Sequence, residues 1–175
     1  RFFEYFSIEK PCHKKGSQVS CHVVEDLFLP IDEVEWRHDL ELLDGVEDLI
    51  HDLYLQGMQL IVASSASNVT IERVFNRFNL HSFFFHIVSG EDFPKSKPDP
   101  AIFNHAASLA VAEKENCIII EDSTNGIKAA NAAGIYCVGY KSLHSEGQDY
   151  SLSNTVINHF NELNFDIISK FYNWH

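Results

Sequence analysis

At 175 residues the chain is long enough for one α/β core and part of a second module. Its 25 acidic residues against 13 basic ones give a formal net charge of −12. That balance argues against a nucleic-acid or anionic-membrane surface, since both need clustered Lys and Arg. No apolar run approaches the roughly 20 residues needed to cross a bilayer, and no secretory signal is recognisable, so the expected compartment is the cytosol. The four cysteines, Cys12, Cys21, Cys117 and Cys137, show no Cys-x-x-Cys spacing, and two lie in predicted core strands, which favours reduced thiols. The pairs Cys12-His13 and Cys21-His22 fit none of the common zinc-finger spacings.

The chain opens on Arg1 rather than Met, so it is expected to be a piece of a longer protein. Residues 1–40 are loosely patterned: an aromatic cluster (Phe2, Phe3, Tyr5, Phe6), a polar break over 10–20, then a predicted helix over 32–43. From there the pattern sharpens. Asp44 is a plausible N-cap for a helix carrying Val46, Leu49, Ile50, Leu53 and Leu55, which Gly57 ends. Residues 58–63 form a predicted strand running into Ser64, and Val69, Ile71, Val74, Phe75 and Phe78 repeat at helical intervals after it. A second short strand spans 83–88, a loop 91–100, a helix 99–111, an apolar strand begins at Cys117, and one more strand covers 136–140. Strand alternating with helix predicts an α/β fold, a Rossmann-like parallel sheet covered by helices.

Three polar clusters fall at the carboxyl ends of strands or in loops facing that edge, where open α/β sheets bind ligands. The run 117–120 ends abruptly in Glu121 and Asp122, hard oxygen donors on a short turn that suit Mg²⁺. The plainer reading is that they only flank the next helix, with Ser123 or Thr124 as N-cap. Ser64 follows an apolar strand and precedes a helix, so hydroxyls and free backbone N–H groups there make an anion cradle; a helix cap is the plainer reading. Lys97 lies in Lys-Ser-Lys-Pro-Asp-Pro, where two prolines stiffen the loop, against the plainer reading of a solvated lysine. On successive βα units in this order, hydroxyl, ammonium and metal together neutralise a transferring phosphoryl group.

These residues resemble the haloacid dehalogenase superfamily, in the branch with a helical cap that contains β-phosphoglucomutase-like proteins and sugar-phosphate phosphatases. The matching blocks are Leu-Ile-Val-Ala-Ser-Ser at 60–65, Lys-Ser-Lys-Pro-Asp-Pro-Ala-Ile-Phe at 95–103 and Ile-Ile-Ile-Glu-Asp-Ser-Thr-Asn-Gly-Ile-Lys-Ala-Ala-Asn-Ala-Ala-Gly at 118–134. The tail at 154–163 looks like the family's closing strand and helix. The resemblance implies that Ser64 binds the phosphoryl oxygen with Ser65 and Asn68, that Lys97 bridges phosphate and nucleophile, and that Glu121 and Asp122 hold Mg²⁺. It divides the chain into the distal part of a helical cap, 1–40, and an α/β core, 41–175. The implied activity is Mg²⁺-dependent phosphoryl transfer to water from a small phosphorylated metabolite, with a phosphomutase or a non-catalytic phosphate-binding module as alternatives.

One departure stands against the match. Family members open with a strand ending in Asp-x-Asp-Gly, whose first Asp attacks phosphorus and whose second is general acid and base. No such pair exists here. Asp44-Gly45-Val46 imitates its final residues with Leu at 42, and Asp26 follows an apolar pair but has Phe at 28 and no Gly after it. That strand normally lies between the serine strand and the carboxylate strand, and without it buried backbone groups would go unpaired at about 1 to 3 kcal/mol each. The expectation is therefore that the strand belongs to the native protein but is missing from this chain, which alone would be inactive. The competing expectation is that a segment within 18–29 fills the slot, giving a folded but inactive protein.

Overall fold

The computed structural model describes residues 41–110, 112–142 and 146–171, together with the backbone of 21–24. Its centre is a six-stranded parallel sheet, ordered β3-β2-β1-β4-β5-β6. The strands are β1 (Cys21–Val24), β2 (Gln59–Ser64), β3 (Phe84–Ser89), β4 (Cys117–Glu121), β5 (Tyr136–Tyr140) and β6 (Thr155–Ile157). Helices α1 (Val46–Leu55), α2 (Asn68–Phe78), α3 (Ala101–Leu109) and α4 (Thr124–Ala133) connect or cover them, and a short α5 (Phe165–Ile168) follows β6.

The apolar runs of β2 and β4 form central strands because both of their faces are covered. Leu60, Val62, Ile118 and Ile120 face a layer built from α1, α2 and the segment after β6. Ile61, Ala63, Cys117 and Ile119 face α3 and α4. Alternation with period two thus divides one run of sequence between two cores. Helix α1 sends Val46, Leu49, Ile50 and Leu53 inward from one stripe, and α4 uses Ile127, Ala129, Ala130 and Ala133, whose small side chains let it lie close to the sheet.

The sheet is continuous where the sequence reading left a gap. Backbone Cys21–Val24 runs parallel to both neighbours, Val24 standing beside Val62 of β2 and Ile120 of β4. The expectation of a missing central strand is therefore corrected, and the competing expectation, a segment within 18–29, describes what fills the slot. The physical reason is the one that made the gap costly: two facing rows of backbone N–H and C=O need a partner. Residues 21–24 accordingly belong to the core sheet rather than to the cap expected over 1–40. The rest of that stretch, with Asp26, the side chains of both Cys-His pairs and the predicted helix from residue 32 to residue 40, lies outside the described residues.

Smaller differences concern ends. Residues 41–43 are not helical, and α1 starts after Gly45, which takes the N-cap position with φ 80° and no side-chain cap, so Asp44 does not cap it. Helix α3 is shorter than predicted, ending at Leu109. Of the closing strand and helix expected over 154–163, the strand is β6 and the helix is only a 3-10 turn, Phe160–Glu162, with α5 beyond it.

Cys117 and Cys137 are both free and buried. Burial, followed by the negative charge of Glu121, pushes the Cys137 thiol up to about 12. Since the thiolate is the reactive form, iodoacetamide at pH 8 should leave both residues unmodified until the protein is unfolded. Peptide mass mapping checks this; rapid labelling of Cys137 in native buffer would contradict the packing described.

Candidate functional site

Parallel strands deliver their C-terminal residues to one edge, and β2, β3 and β4 each end there on a polar residue. Ser64 is the last residue of β2 and Glu121 the last of β4. With β1 between them, the two strand ends stand about 10 Å apart, twice the ~4.8 Å strand spacing.

Glu121 is the hub. It has no solvent exposure, and both oxygens of its carboxylate accept hydrogen bonds. Oε1 accepts from the Ser123 backbone N–H at 2.8 Å and from the Ser123 hydroxyl at 2.6 Å. Oε2 accepts from the Lys97 ammonium at 3.3 Å, a pair whose side chains are 0% and 6% exposed. Ser123 in turn caps α4, accepting from the Gly126 N–H at 3.0 Å. The plainer reading of this stretch is thus partly right: Ser123 is the N-cap, but it spends its own proton on Glu121. Room for the carboxylate exists because residue 126 is Gly; a Cβ there would overlap the Glu121 carboxyl group.

Lys97 is not a solvated loop lysine. Pro98 and Pro100 frame its loop, the Lys97–Pro98 peptide is cis, and Asp99 Oδ1 accepts from the Ala101 N–H at 3.0 Å, starting α3. The ammonium also lies 5.7 Å from the centre of the Phe103 ring. Desolvation lowers its pKa, opposed by the charges of Glu121 and Asp122 and by the hydrogen bond to Glu121. Asp122 is half-buried beside this pair. Burial raises the phenol pKa values of Tyr140 and Tyr150, and the charge of Asp122 adds to both.

The serine side of the site is built differently. Ser64 is nearly buried, and its hydroxyl accepts from the Ala66 N–H at 3.1 Å, folding the loop into a tight turn. Ser65 is exposed. Ser67, overlooked in the sequence, is the N-cap of α2. Asn68 is exposed, and its backbone N–H is already given to Glu91 Oε2 at 2.8 Å, so the amide an anion cradle would use holds an internal carboxylate. Ser89, fully buried, donates to the Ala66 carbonyl at 2.8 Å and ties the end of β3 to the same loop.

The structure therefore brings Lys97, Glu121 and Asp122 into one electrostatic cluster and sets Ser64 on the same sheet edge across β1. Ser65 and Asn68 lie on its β3 side. Sequence reading named Ser123 as a possible cap but not as a partner of Glu121, and it missed Ser67, Ser89, Glu91 and Tyr150. Of those four only Ser67 carried a local signal, its place one residue before a helix. Thr124 is occupied too: its N–H donates to Gln148 Oε1 at 2.7 Å and its hydroxyl accepts from the Asp149 N–H at 2.8 Å.

No group of three or more His, Cys, Asp or Glu side chains that could hold a metal occurs among the described residues. The donor chemistry nevertheless suits Mg²⁺, which is commonly held by one or two carboxylates with substrate phosphate and water completing the shell. Glu121, whose oxygens are already hydrogen-bonded, and Asp122, half-buried, are the carboxylates at the end of β4.

Removing the Glu121 carboxylate would take from the buried Lys97 ammonium the carboxylate 3.3 Å away. Glu121→Ala should cost about 3 to 5 kcal/mol in urea denaturation, the usual loss on breaking a buried pair from one side. Gly126→Ala, which removes no charge, should cost about 1 to 3 kcal/mol by overpacking against the same carboxylate. Losses below 1 kcal/mol in both variants would contradict the hub.

A family model described as haloacid dehalogenase-like hydrolase matches residues 3–140. Among curated relatives, β-phosphoglucomutase of Bacillus subtilis is 29% identical over 130 residues, covering 74% of this chain and 55% of that protein. Phosphoglycolate phosphatase of Pseudomonas putida is 27% identical over 123 residues, covering 70% and 45%. The crystal structure of CbbY from Rhodobacter sphaeroides in complex with phosphate superposes with a TM-score of 0.68 at 26% identity, covering 71% of this chain and 57% of that one. The chain thus spans roughly half the length of the relatives it matches. A parallel sheet with serine, lysine and acidic doublet on its carboxyl edge, together with a family match over most of the sequence, shows that this chain belongs to the haloacid dehalogenase-like hydrolases, in their β-phosphoglucomutase-like branch.

Proposed function

We propose that this chain contributes the phosphate- and Mg²⁺-binding edge of an enzyme that transfers a phosphoryl group from a small phosphorylated metabolite of the sugar-phosphate class, by hydrolysis of a phosphomonoester. The observation that carries this reading is the buried Lys97–Glu121–Asp122 cluster at the end of β4. A desolvated ammonium held by a carboxylate is a preorganised counter-charge, worth more to a phosphoryl group than the same charge in water. The names of its relatives, phosphatases and a phosphomutase, support the same chemistry.

Each residue has a defined task in this reading. Lys97 offers its ammonium to the phosphoryl oxygens. Ser64 holds one of those oxygens by its hydroxyl, its own oxygen kept in place by the Ala66 N–H. Glu121 fixes Lys97, and Asp122, with Glu121, would hold Mg²⁺. Bound there, the ion would neutralise charge on the phosphate and polarise it. Ser65 adds a hydroxyl at the mouth. Asn68 contributes through its side chain, because its N–H is taken by Glu91. The chain carries no Asp-x-Asp-Gly to supply the attacking aspartate. Buried free thiols at Cys117 and Cys137 suit a reducing compartment such as the cytosol.

Binding of inorganic phosphate, followed by ³¹P line broadening, tests the reading without requiring turnover. Affinity should depend on Mg²⁺. Lys97→Ala and Asp122→Asn should each lower it by about tenfold or more, as expected for loss of one charged contact of 1.5 to 3 kcal/mol. Phosphate affinity indifferent to Mg²⁺ and to both substitutions would refute it.

A further inference from the structure

The loop between β5 and β6 is strapped across the start of α4, and nothing in the phosphate site itself requires that. Three residues in a row make the strap. Gln148 accepts from the Thr124 N–H, the Asp149 N–H donates to the Thr124 hydroxyl, and the Tyr150 hydroxyl donates to the backbone carbonyl of Asp122 at 3.2 Å. Asp149 stiffens its own turn by accepting from the Ser151 N–H at 2.9 Å. The strap is seated on β5 at Gly139, the Cα partner of Glu121 in the neighbouring strand. A Cβ at Gly139 would meet the Ser153 hydroxyl at 2.5 Å and the Tyr150 ring at 2.9 Å. A glycine therefore lets the loop reach the sheet at the level of the acidic doublet.

We propose that Tyr150 is a positioning residue for Asp122, its hydroxyl pinning the Asp122 carbonyl so that the carboxylate leaving the end of β4 is held in one direction toward the Mg²⁺. The inference rests on the reading of Asp122 as a Mg²⁺ ligand given above. Asp122 needs such a device because it lies outside regular structure: β4 ends at Glu121 and α4 begins at Thr124, with Asp122 in the short link between. The Ser123 N–H, held by Glu121, and the Asp122 carbonyl, held by the tyrosine, are the two polar groups of one peptide unit, which is thereby pinned from both of its edges. A ligand whose backbone is free to rotate pays its ordering entropy when the ion binds; a pinned one has paid it during folding.

The test uses the whole 175-residue chain with Mn²⁺ as the probe, free Mn²⁺ being read by electron paramagnetic resonance and Mg²⁺ added as competitor. Tyr150→Phe keeps the ring against Gly139 and removes only the hydroxyl. It should weaken Mn²⁺ binding about three- to tenfold, the effect of one neutral hydrogen bond, with the thermal midpoint almost unchanged. Thr124→Val cuts the strap at another point and should shift Mn²⁺ affinity in the same direction. If both variants bind Mn²⁺ as tightly as the parent while Asp122→Asn loses it, the positioning role is overturned and the metal reading stands. If Mn²⁺ binding survives Asp122→Asn, the metal reading fails and this inference fails with it.

Discussion

Continuity of the parallel sheet is the constraint from which the rest of the structure follows. Ser64 and the Glu121–Asp122 pair sit on strands that do not touch each other, and only a strand between them fixes their separation and level. Backbone Cys21–Val24 does this in register with both neighbours. Without it, β2 and β4 would each present a buried row of unpaired amides, and the serine and acidic sides of the site would have no common frame. Four residues suffice because the neighbours are long apolar runs already held from above and below by α1 and α2 on one face and α3 and α4 on the other.

Within that frame the two adjacent carboxylates do different work. Glu121 points into the protein and joins three pieces of chain: the end of β4, the cap of α4 and the proline-framed loop carrying Lys97. Burying an ion pair gains little net stability, because desolvation offsets the attraction. What it supplies is direction, since a lysine held by a buried carboxylate cannot wander as a solvated one does. Asp122, one residue on, is only half-buried. One step along the chain therefore separates a carboxylate with no solvent exposure from one that is partly exposed.

How far the sequence reveals this depends on how local each interaction is. The runs over 58–63 and 117–120 identify central strands because both faces are apolar, and the order serine, lysine, acidic doublet marks the edge they share. Ser123 is legible as a cap because capping is decided within three residues. The contact of Glu91 with Asn68 links residues 23 apart and that of Tyr150 with Asp122 residues 28 apart, so neither leaves a periodic or short-range trace. The strand at 21–24 was the hardest case. Its neighbours, not its own composition, decide that it pairs, and it lacks the Asp-x-Asp-Gly punctuation that marks such a strand elsewhere. Asp44 misleads for a similar reason: a good capping residue stands one place before Gly45, whose positive φ starts the helix instead.

Native-state hydrogen exchange at the amides of residues 21–24 tests the central claim most directly, because a strand paired on both sides opens only with the sheet. Protection there close to that of Ile118, Ile119 and Ile120 is the predicted result. Exchange at free-chain rates for 21–24, with β4 still protected, would show that the slot between β2 and β4 is filled by something else and would contradict the account.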